Sequence, residues 1–247
     1  MIKTITRAFS ALSNLRASEN PSLDKNSQHF SAEGKSKKLL FQDIVYQNGV
    51  KSIFIKALLS DIPVHILLIG SPGSAKSMFL SEIMRCFKSS LFVVGSNSSK
   101  AGIINQVFEK SPKYLLIDEL DKMNSIDQTS LLNLMETGLV SETKIGKTRE
   151  IQVNLQIFAT GNSIDKIIEP LRSRFIVLTL PEYTFEEFVQ IAVSRLGDIK
   201  IDQETACTIA ENVWNHLESK DIRDVLKVGS LISKPEDVSF LIRMMNK

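Results

Sequence analysis

The sequence predicts an α/β fold: a five-stranded parallel sheet with helices on both faces, followed by a small all-helical region. From residue 41 onward, short apolar runs alternate with segments of helical periodicity, as expected for a doubly wound sheet. The apolar runs lack a polar–apolar alternation, which is typical of parallel strands covered on both faces. After Pro181 these runs stop, and the helical pattern continues alone. The five predicted strands span residues 64–69, 91–94, 114–117, 156–160 and 175–180.

Changes in composition divide the chain into three segments. Residues 1–38 are rich in Ser, Asn and Lys, so we predict a polar arm that is disordered or weakly helical. An organelle transit peptide and a partner-binding arm are alternative interpretations of its basic first stretch. Residues 39–181 form the predicted α/β domain, and residues 182–247 form the predicted helical domain.

Capping patterns predict where several helices begin. A Ser or Thr followed three residues later by Glu or Gln is typical of a capping box, in which each side chain bonds to the other residue's backbone. An Asp at the N-cap and a Pro at the first helical position are further start signals. The predicted starts are Ser125 with Gln128, Thr184 with Glu187, Asp202, Asp221, and Pro235 as a first helical residue.

Composition narrows the class of protein. The formal net charge of +2 and the pI of about 8.4 are too mild to identify a nucleic-acid-binding protein. Cys86 and Cys207 lie far apart in apolar surroundings, which predicts buried thiols in a reducing compartment and neither a disulfide nor a metal site. No apolar run approaches the roughly 18 residues that span a membrane. We therefore expect a cytoplasmic protein without a membrane segment.

The segment HILLIGSPGSAKS joins a predicted strand, a glycine-rich turn and a helix over residues 78–87. This order is typical of a phosphate-binding loop, whose backbone N–H groups hold phosphate oxygens. In such a loop Lys76 contacts the β- and γ-phosphates and the Ser77 hydroxyl binds Mg²⁺. Ala75 stands where glycine is usual, and alanine disfavours a positive φ. An ordinary strand–turn–helix junction is the alternative. The predicted nucleotide-binding residues here are Gly70, Ser71, Pro72, Gly73, Ser74, Ala75, Lys76, Ser77 and Met78.

A second motif, YLLIDE, is an apolar strand that ends in two acids. Asp118 is suited to bind magnesium, and Glu119 is suited to activate an attacking water as a general base. Two adjacent acids could also simply begin a solvent-exposed loop. Both motifs together, on separate predicted strands, favour a site that binds ATP and Mg²⁺ and hydrolyses ATP.

These motifs and the residues after them resemble a known family. GSPGSAKS and IDELDKMN resemble the corresponding segments of the MCM replicative helicase, which also carries alanine before the lysine. The stretch from ETKIGKTREIQV to PLRSRF resembles RuvB, the Holliday-junction branch-migration motor, in order and spacing. The chain is therefore similar to AAA+ ATPases of the RuvB/MCM/MoxR-like group over about residues 41–232. The resemblance implies an AAA+ P-loop NTPase fold with a C-terminal helical lid.

The resemblance also implies roles for residues that contact nucleotide. Asn162, at the end of IFATGN, matches the first sensor, which orients water against the γ-phosphate; a simple Gly-Asn turn is the alternative. Arg223 in KDIRDVL matches the second sensor, which ties the lid to the nucleotide; a solvent-exposed helix arginine is the alternative. Ile44 and Val45 in FQDIV match the segment that lines the adenine, and Tyr46 replaces the usual glycine.

Two arginines in RSRF are candidates for a residue that acts on a neighbouring subunit. By the resemblance, Arg174 matches the arginine finger, which reaches the ATP site of the next subunit, and Arg172 is the second candidate. Exposed surface arginines are the alternative. The family precedent implies assembly with further copies of the chain into a ring of six subunits.

The segment GLVSETKIGKTREIQV predicts two short strands around a turn at residues 145–146. In the family, a hairpin at this place enters the central pore of the ring. Lys144, Lys147 and Arg149 are spaced to meet a phosphate backbone, although Glu142 and Glu150 offset part of their charge. A charged hairpin in solvent is an equally good interpretation.

Two classes of function follow from the resemblance. The first is a DNA-remodelling motor, with helicase or branch-migration activity. The second is a MoxR-like chaperone ATPase that remodels protein partners, and a clamp-loader-like switch is a third, weaker match. RuvB carries a winged-helix domain after its lid and MCM a large N-terminal domain, and neither resembles a segment of this sequence. We therefore expect an adaptor protein to supply DNA binding or targeting.

Overall fold

The computed structural model describes residues 39–144, 147–232 and 234–245. The predicted arm of residues 1–38 and the predicted turn at 145–146 lie outside the described residues. The strands are β1 (Ile66–Ile69), β2 (Ser90–Val94), β3 (Tyr114–Asp118), β4 (Leu139–Lys144), β5 (Lys147–Gln152), β6 (Gln156–Gly161) and β7 (Ile176–Thr179). The helices are α1 (Asn48–Leu59), α2 (Lys76–Cys86), α3 (Lys100–Lys110), α4 (Ser125–Glu136), α5 (Glu169–Arg172), α6 (Phe185–Asp198), α7 (Gln203–His216), α8 (Ile222–Leu231) and α9 (Asp237–Met245).

Five strands form one sheet in the order β2-β3-β6-β1-β7. Every neighbouring pair is parallel, so the predicted five-stranded parallel sheet is confirmed. β1 begins at Ile66, two residues later than predicted. At the two residues before β1, side chains take part in the hydrogen bonds with β6 in place of backbone–backbone pairs. The Gln156 side chain donates to the Val64 carbonyl at 2.6 Å, and His65 Nδ1 accepts from the Ile157 N–H at 3.0 Å.

β7 departs from the expectation that every strand is covered on both faces. It is an edge strand that pairs only with β1. The consecutive side chains of Ile176 and Val177 are 46% and 37% exposed. Successive side chains of a strand point to opposite faces, so both faces of β7 are partly open to solvent.

Helices cover the two faces of the sheet, as predicted. On one face, Leu67 and Ile157 belong to a buried cluster with side chains of α3 and α4. On the other face, Leu68 and Phe158 belong to a cluster with side chains of α1 and α2. The second face matters for the site, because α2 follows the glycine-rich turn directly.

The helices after β7 pack around a third cluster of their own. It includes Phe188 of α6, Ala206 of α7 and Val225 of α8. Val45 and Tyr46, from the segment before α1, pack against this cluster. The helical C-terminal region is therefore present, and it meets the residues that precede the sheet.

The predicted helix starts are mostly confirmed. Thr184 forms the predicted capping box with Glu187, and Asp202 caps α7 by accepting from the Thr205 N–H. Asp221 caps α8 by accepting from the Arg223 N–H. The prediction for Pro235 is wrong, because α9 begins at Asp237.

The capping box predicted for α4 is also wrong. Asn124 is the N-cap, and its side chain accepts from the Asp127 N–H. Ser125 is the first helical residue. The Gln128 side chain does not reach back to a cap: it donates to the carbonyls of Met123 and Lys166 and accepts from the Ile168 N–H. These tertiary hydrogen bonds satisfy a side chain that is 1% exposed.

The predicted hairpin is confirmed in its strands. β4 and β5 pair antiparallel, from Leu139 opposite Gln152 to Lys144 opposite Lys147. At the base, Gly138 has a φ of 62°, and a Cβ there would lie 2.0 Å from the Val153 carbonyl oxygen. Only glycine fits this close approach, which fixes where the hairpin leaves the sheet domain.

Cys86 and Cys207 are free thiols, and both are partly buried, less than the buried position predicted. Burial raises the pKa of each thiol, which keeps them protonated and unreactive at neutral pH. Across the described ranges, no helix is long and apolar enough to cross a membrane.

Candidate nucleotide-binding site

A cavity of about 530 Å³ opens at the carboxyl ends of β1, β3 and β6. Ligands of parallel α/β folds bind at this edge of the sheet. The helical region and the segment before α1 close the other sides. Polar lining residues include Lys76, Ser77, Asp118, Glu119, Lys122, Thr160, Asn162, Arg195, Asp221 and Arg223, and apolar ones include Ile44, Val45, Tyr183, Ile191, Ile222 and Leu226.

The glycine-rich turn adopts the strained backbone that the sequence suggested. Gly73 has a φ of 81°, and Ala75 has a φ of 66° and a ψ of 12° immediately before α2. Gly70 and Ser71 do not line the cavity in the described structure, whereas 72–78 do. The loop therefore turns its second half and the start of α2 toward the cavity, where backbone N–H groups favour anions.

Lys76 is the buried cation of this loop, with only 8% of its surface exposed. Its ammonium donates to the carbonyls of Gly70 at 2.8 Å and Ser71 at 2.7 Å. Burial lowers the pKa of Lys76, and the negative charges of Asp118 and Asp121 oppose that shift. An ammonium that exchanges these carbonyls for phosphate oxygens forms charge-assisted hydrogen bonds with them.

The two acids of the second motif stand at the end of β3. The Ser77 hydroxyl donates to Asp118 Oδ1 at 3.0 Å, so the hydroxyl and the carboxylate predicted to share a metal are adjacent. Glu119 has a φ of 58°, and its Oε1 accepts from Lys122 Nζ at 2.6 Å. Lys122 was not predicted as a site residue, because its position three residues after Glu119 is the only sign of this contact in the sequence.

The oxygen donors fit a magnesium ion bound together with nucleotide phosphates. Mg²⁺ prefers oxygen ligands and is usually held by one or two protein groups plus phosphates and water. Ser77 and Asp118 supply a hydroxyl and a carboxylate of this kind. Over the described part of the chain there is no cluster of three or more His, Cys, Asp or Glu residues that could hold a metal without such a ligand.

The segment before α1 forms the apolar end of the cavity. Ile44, which is 1% exposed, and Val45 both line it. Tyr46 has a φ of 59°, a conformation that glycine adopts more easily. Opposite them, burial raises the pKa of Tyr183 to about 12, so its hydroxyl is neutral at physiological pH.

The two sensor candidates both reach the cavity. Asn162 follows directly on β6 and is exposed at the cavity wall. Arg223, at the start of α8, donates through Nε to both carboxylate oxygens of Asp221, at 3.0 and 2.8 Å. This hydrogen bonding raises the pKa of Arg223. A Cβ on Gly73 would lie 2.9 Å from Asp221, so this end of α8 touches the glycine-rich turn.

Arg172 and Arg174 lie elsewhere. Neither is among the described residues that line the cavity. Arg174 forms an ion pair with Glu136 at the end of α4 and donates to the Pro170 carbonyl. The structure thus separates both arginines from the nucleotide cavity of their own chain.

In the hairpin, the side chains of Lys144 and Lys147 lie outside what the structure describes. Arg149 is described, and its guanidinium lies 5.3 Å from the ring centroid of Phe108 on α3. A cation in this position is partly engaged with the protein itself. Glu150, beside it, is exposed.

A family model described as the MCM P-loop domain matches residues 49–216, more than half of the chain. The chain belongs to the MCM P-loop domain family. The resemblance to AAA+ ATPases of the RuvB/MCM type is therefore confirmed. The match spans the glycine-rich turn, the acid pair, the hairpin and the two arginines.

Individual relatives of this MCM P-loop domain are distant and much longer. The DNA replication licensing factor mcm2 of Schizosaccharomyces pombe is 30% identical over 195 residues, covering 66% of this chain and 22% of that protein. The Xenopus tropicalis mcm2 is 27% identical over 177 residues, covering 64% of this chain and 20% of that protein. The chain thus spans about a fifth of the length of these relatives.

Solved structures show the same fold. A mutant of RuvB from Thermotoga maritima superposes with a TM-score of 0.63 at 19% sequence identity, covering 82% of this chain and 71% of that one. A second mutant of the same protein gives a TM-score of 0.59 at 19% identity, covering 81% and 70%. At this identity the likeness concerns the fold, which confirms an AAA+ P-loop arrangement for this MCM-family chain.

Proposed function

We propose that this chain is an ATP-hydrolysing AAA+ motor domain that acts on DNA. The observation that carries the proposal is the convergence of the glycine-rich turn with Asp118 and Glu119 on one cavity of about 530 Å³. Membership of the MCM P-loop domain family supports it. We further propose that residues 39–181 form the motor core and that residues 182–247 form its lid.

The proposal assigns roles to the residues that the sequence predicted for the site. Residues 72–78, with Lys76 among them, hold the phosphates of ATP. Ser77 and Asp118 hold Mg²⁺, and Ile44 and Val45 contact the base. Bound magnesium would supply positive charge that offsets charge developing on the phosphates. Glu119 accepts a proton from the attacking water, and Asn162 orients that water.

The choice of DNA as the substrate is supported by two observations. The relatives reported above are named as DNA replication licensing factors. The chain also carries the hairpin of β4 and β5, whose sequence places Lys144, Lys147 and Arg149 within six residues. Basic side chains of this kind contact phosphates without reading sequence.

ATPase turnover of the chain and of Glu119→Gln tests the hydrolysis step. Glutamine keeps the size and hydrogen bonding of glutamate but cannot take the proton. We expect Glu119→Gln to bind ATP with parental affinity and to lose turnover by roughly 10²-fold or more. Lys76→Ala is the contrasting variant, because it should weaken nucleotide binding itself. A Glu119→Gln variant that hydrolyses ATP at the parental rate would show that Glu119 is not the base.

The same assay, run with and without forked DNA, tests the substrate. We expect DNA to raise the turnover of the parental chain, and this stimulation to fall steeply with salt because phosphate contacts release counterions. An acidic polymer without bases, such as heparin, is the control for charge alone. Turnover that responds only to a co-purifying protein would contradict DNA as the substrate and favour a protein-remodelling chaperone.

A further inference from the structure

Thr160 stands at a point of the sheet where three elements of the site meet. It is the fifth residue of β6, and it is 0% exposed. Along β6 it lies on the same face as Phe158, the face that α2 covers. In the register of β3 and β6, Ile117 is opposite Ala159, which brings Asp118 beside Thr160.

The Thr160 hydroxyl bonds to both acids of the motif. It accepts a hydrogen bond from the Glu119 backbone N–H at 3.1 Å and donates to Asp118 Oδ1 at 2.5 Å. The direction is fixed, because a backbone N–H can only donate and a hydroxyl has a single proton. Asp118 Oδ1 also accepts from Ser77 Oγ at 3.0 Å. One oxygen of Asp118 is therefore held by two hydroxyls from two different elements.

The backbone conformation of Glu119 depends on contacts such as the one with Thr160. Its φ of 58° and ψ of 47° lie in the left-handed region, which non-glycine residues hold only when their surroundings fix them. The surroundings here are tight: a Cβ on Gly95 would lie 2.3 Å from the Glu119 carbonyl oxygen. Thr160 satisfies the N–H of the same residue. Together these contacts set the direction in which the Glu119 side chain leaves the backbone.

We propose that Thr160 is a positioning residue that fixes the metal-binding carboxylate of Asp118 and the backbone of Glu119 as one unit. The inference rests on the proposed function. It goes further by assigning to Thr160 a role that acts through Asp118 and Glu119 and needs no contact with phosphate or metal. With Oδ1 held by Thr160 and Ser77, the Asp118 carboxylate is oriented before a magnesium ion arrives. Hydrogen-bond partners of metal ligands tune metal affinity in this way.

Removal of the Thr160 hydroxyl has two predictable effects. Asp118 loses one of its two hydroxyl donors, so its carboxylate can rotate and holds a metal less well. The Glu119 N–H loses its acceptor in a part-buried position, which favours a different backbone conformation. The first effect changes the magnesium requirement. The second changes turnover even at saturating magnesium.

The test compares Thr160→Val, which keeps the shape but lacks the hydroxyl, with Thr160→Ser, which keeps the hydroxyl. A fluorescent ADP analogue is titrated with Mg²⁺ to obtain the half-saturating metal concentration, without any turnover. We expect Thr160→Val to raise that concentration by about 10–100-fold. Metal-free binding of the analogue through Lys76 should stay at the parental level. Thr160→Ser should restore most of the metal affinity.

A matched control is Thr205→Val, which removes the hydroxyl of a threonine that is 6% exposed at the start of α7 and does not line the cavity. It should leave the magnesium titration unchanged. If Thr160→Val does not fold, as judged by circular dichroism, Thr160→Ala removes the same hydroxyl with less steric demand and takes its place.

The outcomes separate the inference from the proposed function. A parental chain that binds the analogue with magnesium, beside a Thr160→Val variant with the same magnesium midpoint, overturns the role of Thr160 and leaves the ATPase proposal standing. A Thr160→Ser variant as impaired as Thr160→Val also overturns it, since packing and not the hydroxyl would then matter. A parental chain that shows no magnesium-dependent binding overturns both.

Discussion

At the scale of single residues, three of the eight described non-glycine residues with a positive φ lie in segments that bound the cavity. Tyr46, Ala75 and Glu119 all have φ values near 60° without being glycine. All three belong to segments that bound the cavity, beside the base, the phosphates and the attacking water in the proposed function. Left-handed non-glycine residues persist only where their surroundings fix them, and they are frequent at functional sites. The site is therefore preformed at the expense of local stability.

Ala75 offers a direct measure of this strain. A left-handed conformation costs an L-residue other than glycine roughly 1–2 kcal/mol, and glycine loses part of that advantage through entropy in the unfolded state. We expect Ala75→Gly to raise the free energy of unfolding by up to about 1 kcal/mol. Urea denaturation measures it. The control is Ala101→Gly in α3, where the backbone is helical and glycine should destabilise. Equal destabilisation by both variants would mean that Ala75 is not left-handed in solution.

Residues of the site differ in how far the sequence reveals them. Lys76, Ser77, Asp118 and Glu119 were predictable because their chemistry is tied to a local pattern of strand, turn and acid. Thr160 was not, since a threonine in a strand is an ordinary β-former. Its role depends on β3 lying beside β6, a contact between residues 42 positions apart. Such information is carried by the order of strands in the sheet.

At the scale of elements, the strands and the hairpin followed from the apolar pattern, while some boundaries did not. Asn124 and Ser125 are both good N-caps, so sequence alone could not place the start of α4. The buried Gln128 side chain forms three hydrogen bonds, with Met123, Lys166 and Ile168. It is therefore not available for a capping box with Ser125. The exposed faces of β7 were missed for a similar reason, because an edge position is a property of the sheet.

The start of α8 is the element that joins the helical region to the glycine-rich turn. Asp221 caps the helix, pairs with Arg223 and lies against Gly73. Hydrogen bonds from Arg223 lower the pKa of Asp221 although burial opposes them, so this pair stays ionised at neutral pH. A γ-phosphate in the cavity would compete with Asp221 for the Arg223 guanidinium. Bound nucleotide can therefore change the hydrogen bonds that fix the start of α8.

This coupling predicts the behaviour of Arg223→Ala in hydrogen exchange. In the parental chain, ATP should increase the protection of amides in α8, because Arg223 then links the helix to the phosphates. In Arg223→Ala that ATP-dependent increase should disappear. The control is Lys227→Ala on the same helix, since Lys227 pairs with Asp224 and does not line the cavity. ATP-dependent protection of α8 that persists in Arg223→Ala would remove this residue from the nucleotide site.

At the scale of the whole molecule, we expect an arginine from a neighbouring copy of the chain to complete the site. Phosphoryl transfer in P-loop enzymes is accelerated by an arginine that neutralises charge in the transition state. Arg174 matches that residue by sequence, yet it is paired with Glu136 and stands apart from its own cavity. A site completed by the neighbouring subunit requires a head-to-tail interface. Interfaces of this kind close into rings when the rotation permits.

The last prediction follows from this shared site. ATP should promote oligomers of the chain, and specific ATPase activity should rise with protein concentration. Arg174→Ala should bind ATP and assemble, but lose turnover by roughly 10³-fold or more if the arginine acts as fingers do in other P-loop enzymes. Glu136→Ala is the matched control, because it removes the partner of Arg174 and leaves the arginine in place.

Mixing two inactive variants gives the sharpest form of this test. Arg174→Ala retains a complete phosphate loop, and Lys76→Ala retains the arginine, so each lacks a different half of the site. In a mixed ring, some interfaces pair the intact loop of one subunit with the intact arginine of the next. Activity should therefore return on mixing, as measured by phosphate release. If Arg174→Ala keeps full turnover while Arg172→Ala loses it, Arg172 is the finger. A chain that is fully active as a monomer at every concentration would contradict the shared site altogether.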